Sequence, residues 1–209
     1  MIRLAVVGDI GVGKSYIAKQ FGYPVFNADA EVAKLYKRNR KCYNKLKKSL
    51  KGYINSFPVK KNEISNAVVA NKHNIKKIVK IVHPEVRLAM KKFIKKNKNR
   101  KFIVLDIPLL LENKINRKRD ILIFVDAKKK EIKKNLKKRI NYNPKILKRL
   151  KKLQLPLEKK KKKSDFVIKN DFKHNSTKKN VKIIIEKILS NAWNYIRYRN
   201  DRAIYRSKS

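Results

Sequence analysis

A single cysteine stands among these 209 residues, and that scarcity removes two chemistries at once. Cys42 leaves no intrachain disulfide and no cysteine-based metal cluster, and in a helical stretch it reads as a bystander thiol. Long hydrophobic runs are also missing. The apolar stretches 2–7, 102–105 and 121–125 are strand-length, well short of the roughly 20 residues that span a bilayer. No membrane segment is expected. No charged leader with a small-residue cleavage site precedes the first stretch, so cytoplasmic residence is the expectation. Acidic residues are few as well: 15 Asp and Glu against 59 Lys and Arg give a net charge of +44. The excess is mostly lysine, spread along the chain beside abundant Asn and Ile, the trio that AT-rich codons encode. Two readings compete, a basic surface for polyanions such as RNA or membrane headgroups and, the favoured one, compositional bias with non-specific polyanion affinity as its by-product and no specific nucleic acid expected. The run Lys159, Lys160, Lys161, Lys162 and Lys163, following Pro156, reads as the solvated face of a helix.

Glycine is sparse, five in all, yet Gly8, Gly11 and Gly13 fall in one segment, Gly8-Asp9-Ile10-Gly11-Val12-Gly13-Lys14-Ser15. This G-x-x-x-x-G-K-S pattern lies between an apolar strand and a helical stretch, the context in which backbone N–H groups converge on a phosphate chain. Lys14 adds a positive charge beside the outer phosphates, Ser15 offers a hydroxyl to Mg²⁺, and the following helix points its positive end at the anion. A nucleoside triphosphate with Mg²⁺ is therefore the expected ligand.

Beyond the loop, strand-like runs at 2–7, 24–26, 102–106, 121–125 and 165–168 alternate with helical stretches. Such alternation predicts one α/β domain, a parallel five-stranded sheet flanked by helices. Ile64, Val68, Val69, Ile75, Ile78, Val79 and Val82 recur at helical spacing, so residues 29–100 are expected to be a helical insertion at the sheet's carboxyl edge, where open α/β sheets bind ligands. A second helical excursion, 128–163, is broken by Asn143-Pro144 and Leu155-Pro156 and reads as a mobile lid. The core then comprises 1–28, 101–127 and 164–196, with a basic aromatic tail at 197–209.

Three sets of residues carry candidate chemistry. Asp29 follows the second strand and is either a base for an attacking hydroxyl or a helix N-cap. Asp106 ends the strand from Phe102, placed either to complement Ser15 at Mg²⁺ or to form a turn with Pro108. His83 and Arg87 lie one helical turn apart, with Pro84 expected to begin a new helix. Arg87 is the better phosphate binder because its planar fork gives paired bonds. The other reading of His83 is a helix-boundary residue.

Taken together these motifs resemble the dephospho-CoA kinase family of P-loop kinases. The resembling pieces are residues 8–15, Asn27-Ala28-Asp29, His83-Pro84-x-x-Arg87, Asp106-Ile107-Pro108-Leu109-Leu110-Leu111-Glu112, and Gln154-x-Pro156-Leu157-Glu158 ahead of Ser164-Asp165-Phe166-Val167-Ile168-x-Asn170. The resemblance implies a P-loop kinase fold with a substrate-binding insertion and a lid. It also implies phosphorylation of the ribose 3′-hydroxyl of dephospho-CoA, with Asp29 as base and Lys14 and Arg139 at the transferring phosphate. ATP and Mg²⁺ are the cofactors it implies: Gly11, Val12, Gly13, Lys14, Ser15 and Tyr16 would bind ATP, Ser15 and Asp106 the metal, and Asp29, His83, Arg87, Pro108, Leu109, Leu110 and Glu112 the acceptor. Asn27 departs from the family's first aspartate, Asp9 from a loop glycine and Tyr16 from a threonine. Asp9 is expected to turn away from the phosphates. A second lid arginine does not stand at the family's spacing: Asn135 precedes Arg139 by one turn, Arg149 lies five residues before Gln154 rather than four, and Lys134 or Lys138 would serve as point charges. Two other readings remain open, a nucleoside or nucleotide kinase of the same fold, and an RNA-binding protein using the tail around Trp193, Tyr195 and Arg197.

Overall fold

The computed structural model describes residues 1–139 and 142–190. Strand β1 (Ile2–Gly8) leads through the phosphate loop into helix α1 (Lys14–Gln20), then β2 (Val25–Asn27). Helices α2 (Ala28–Arg38), α3 (Arg40–Ser49), α4 (Lys61–Ala70) and α5 (Lys72–Lys96) follow before β3 (Phe102–Asp106) and β4 (Ile121–Asp126). The chain then forms α6 (Lys129–Lys137), α7 (Pro144–Lys152), α8 (Leu157–Lys163), β5 (Phe166–Lys169) and α9 (His174–Ser190).

The five strands form one parallel sheet in the order β2-β3-β1-β4-β5. Its central strands are near-continuous apolar runs because both faces are covered, as parallel sheets require. Side chains alternate between those faces. Leu4, Val6, Val104 and Ile123 pack under α1 and α9 through Ile17, Phe21, Val181 and Ile188. Ala5, Val7, Leu105 and Phe124 face the other way, against Met90, Phe93 and Ile94 of α5. The insertion closes around its own small core, built on Cys42, Leu46, Leu50, Ile54, Val59, Ala67 and Val82.

Two local expectations need correcting. Pro84 does not begin a helix; it lies inside the 25-residue α5, on an exposed position. Packing of α5 against α2, α3 and α4 works against the roughly 3 kcal/mol that an internal proline costs. The lysine run at 159–163 is not wholly solvated either. Lys160 is buried, since α8 lies against β1 and β4 and its phase turns this one side chain inward. The tail at 197–209 and Trp193 lie outside the described residues.

Candidate active site

A cavity of 470 Å³ opens at the carboxyl edge of the sheet, where β1, β2 and β3 end together. The phosphate loop forms its floor. Gly13 has a φ of 89°, and a Cβ there would come within 2.5 Å of Asn170 Nδ2. Only glycine fits both the left-handed backbone and that close approach. Asn170 is buried, donates from Nδ2 to the Val12 carbonyl at 2.8 Å, and accepts from the Phe172 N–H at 3.0 Å. The end of β5 thus braces the loop from behind, a role for Asn170 that sequence spacing did not signal.

Lys14 Nζ donates to the Asp9 carbonyl at 2.7 Å, so the side chain lies back over its own loop. Burial pushes its pKa down to about 8, against the pull of Asp106, with the Lys160 charge adding to the fall. The Asp9 carboxylate accepts from the Ile10 N–H at 2.6 Å and lies 3.7 Å from Lys151 Nζ. It borders a second cavity beside α6 and α7 and is absent from the lining of the first.

Asp29, Asp106 and Arg139 line the same cavity as Lys14 and Ser15. Asp29 sits in the first turn of α2, and the N-cap is Asn27, whose Oδ1 accepts from the Ala30 N–H at 2.7 Å. The N-cap alternative for Asp29 is thereby excluded. Burial raises the Asp29 pKa and the Asp106 charge raises it further, while Lys14 and Arg139 pull it back. Asp106 is buried and accepts from Asn27 Nδ2 at 2.5 Å. Asn27 therefore serves both carboxylate and helix, where the sequence suggested only a lost acid.

Pro108, Leu109, Leu110 and Glu112, from the segment after β3, form one wall. Glu112 does not stand free within it. Its Oε1 lies 2.7 Å from Lys160 Nζ and accepts from the Leu155 N–H at 3.0 Å. Burial alone would raise the Glu112 pKa, but these bonds hold it below the ordinary value. Tyr16 lines the cavity and its hydroxyl is hydrogen-bonded to His174 Nδ1 at 2.9 Å, tying α1 to the start of α9. Val12 is buried behind the loop and faces the second cavity. His83 and Arg87 are outside the cavity lining, though close enough on α5 that burial and then the Arg87 charge lower the His83 pKa. From the lid segment, Arg149 of α7 donates to the Val68 carbonyl of α4, so α7 bridges to the insertion.

Ser15 and Asp106, the residues expected at a metal, offer oxygen donors of the kind a hard cation takes. A serine hydroxyl and a carboxylate share the cavity, and no cluster of three acidic, His or Cys ligands occurs among the described residues. Such a sparse oxygen set suits Mg²⁺ that arrives with phosphate, since this ion keeps waters and substrate oxygens in its shell.

A family model described as dephospho-CoA kinase matches residues 2–176. A dephospho-CoA kinase of Wolbachia pipientis wMel is 33% identical over 190 residues, 88% of this chain and 97% of that one. One from Bartonella quintana is 31% identical over 193 residues, 90% of this chain and 98% of its own. Among solved structures, a Thermus thermophilus protein superposes with a TM-score of 0.72 at 22% identity, over 91% of this chain and 97% of that chain. A dephospho-CoA kinase from Campylobacter jejuni gives 0.58 at 22% identity, over 89% and 96%. At such identities the two structures speak for the fold alone.

Proposed function

This chain belongs to the dephospho-CoA kinase family, and from that premise we propose that it transfers the γ-phosphoryl group of ATP to the ribose 3′-hydroxyl of dephospho-CoA, giving coenzyme A and ADP. The observation that carries this reading is the convergence of Lys14, Asp29, Asp106 and Arg139 on one cavity walled by residues 108–112. Phosphoryl transfer passes through a loose transition state, so positioning and charge neutralisation matter more than bond-making by the protein. The loop amides and Lys14 hold the triphosphate. Ser15 and Asp106 would hold Mg²⁺, which supplies positive charge between the phosphate oxygens when bound. Asp29 takes the proton of the acceptor hydroxyl, and burial, by raising its pKa, makes it a stronger base for that exchange. Arg139 reaches over the transferring group with a fork suited to its oxygens. The insertion, with His83 and Arg87, supplies the rest of the acceptor site, and 128–163 acts as the lid.

The deciding experiment is ADP release with a panel of dephospho-CoA, AMP, CMP and nucleosides. Release that depends on dephospho-CoA supports the reading; phosphorylation of AMP with dephospho-CoA ignored overturns it. No helix among the described residues is long and apolar enough to cross a membrane, which suits an enzyme with water-soluble substrates in the cytoplasm. Surface lysines would add weak, salt-sensitive attraction to polyanions.

A further inference from the structure

Of the lysines in α8, Lys159, Lys161, Lys162 and Lys163 are exposed, while the Lys160 side chain is 3% exposed. A lysine is almost never buried unless paired. Its partner is Glu112, 10% exposed, with Nζ and Oε1 2.7 Å apart. The two come from different parts of the site. Glu112 ends the wall that follows β3, whereas Lys160 belongs to α8, which rests on β1 and β4. Glu112 Oε1 also accepts from the Leu155 N–H, so one carboxylate joins the wall to the connection between α7 and α8.

The wall needs such a hold. Leu109 has a φ of 55°, a conformation costly for a leucine that persists only where surroundings over-determine it. Turn bonds from the Asn113 N–H to the Leu109 carbonyl and from the Ile115 N–H to the Leu110 carbonyl fix its shape, both at 3.0 Å. They do not fix its place relative to the phosphate loop. Lys160 lines the cavity and its charge is felt at Lys14, while its ammonium is held by Glu112 in a pair with no net charge. Its direct contact is with the end of the wall, so its action on the acceptor runs through geometry.

Resting on the proposed reaction, we infer that Lys160 is a positioning residue: by gripping Glu112 it sets the acceptor wall, residues 108–112, in register with the phosphate loop. ATP meets the loop and Lys14, whereas the acceptor meets the wall. Loosening the grip thus harms the acceptor selectively.

The test uses the full chain, with initial rates measured against each substrate in turn and thermal unfolding recorded for every variant. Lys160→Met lowers kcat/KM for dephospho-CoA on the order of 10²-fold, as expected for a misplaced reactant, and leaves the KM for ATP unchanged. The double variant Glu112→Gln with Lys160→Met removes both buried charges and keeps an acceptor for the Leu155 N–H. It regains thermal stability without regaining kcat/KM, and Lys160→Arg, which keeps the charged grip, restores most of it. A double variant with wild-type kcat/KM overturns the inference, as does equal damage to both substrates. So does a double variant that fails to fold, which marks the pair as purely structural. If wild-type protein binds ATP but ignores dephospho-CoA, the proposed reaction itself fails, a result distinct from these.

Discussion

Asn27 and Asp106 stand opposite each other in the parallel β2–β3 ladder, and the Asn27 amide donates to the Asp106 carboxylate at 2.5 Å across it. The same side chain caps α2 through its other atom. Asn27→Ala removes the cap and leaves Asp106 short of a donor, and is expected to cost about 2 kcal/mol in chemical denaturation. Asn27→Asp is the sharper variant. It keeps the cap but sets a second carboxylate against Asp106, so the protein is less stable without Mg²⁺ and gains more from adding it than wild type does. An equal gain in both would argue against metal at Asp106.

Lys14 makes ATP affinity depend on pH. Its pKa in the free protein is about 8, and bound phosphates favour the charged form, so binding takes up a proton above that value. Affinity is level below pH 8 and weakens as pH rises through it, by at most about tenfold per unit. Calorimetric titration from pH 7 to 10 reads this directly, and Lys14→Arg, charged throughout, should bind more weakly but without the slope. For folding the sign is opposite. Between about 8 and the ordinary lysine value the unfolded chain holds a proton that the folded one lacks, so this group adds stability as pH rises through that window.

Asp29→Asn should lower turnover about 10²- to 10⁴-fold while ATP binding is retained. Because burial raises the Asp29 pKa, wild-type turnover should fall with acidification already above the usual carboxylate range. The variant should lack that limb. Near-full activity in Asp29→Asn would rule out the base role.

Asn170→Ala takes away the amide that holds the Val12 carbonyl, at an expected cost of about 1–3 kcal/mol together with weaker ATP binding. Gly13→Ala drives a methyl group against that same amide. Each change removes part of what makes the other harmful. The double variant, followed by thermal unfolding and ATP titration, should therefore lose less than the two singles summed.

Much of this site was legible in residue order alone. The apolar runs ending at Gly8 and Asp106 mark strands because central parallel strands have no wet face, and the phosphate loop carries its chemistry in backbone-permissive residues. Asp29 and Asp106 follow from strand ends. Lys160 was hidden because five neighbouring lysines differ only in helical phase, and phase against a sheet is a tertiary fact. Asn27 misled in another way. Scored as a missing carboxylate it looks like a loss, whereas its amide supplies a donor that an aspartate lacks. Pro84 misled because local cost was weighed without the packing of α5.

The brace between Asn170 and Val12 spans 158 positions of chain, and β1 lies between β3 and β4, whose residues begin at 102 and 121. Protein is made from its amino end, so the phosphate loop leaves the ribosome before β3, β4 and Asn170, which flank and brace it. Distant pairings of this kind form late, after the intervening loops have closed. A chain that stops before residue 170 carries the whole nucleotide motif without the Asn170 brace. Every residue of the loop can therefore be present in a fragment that still lacks the amide holding the Val12 carbonyl.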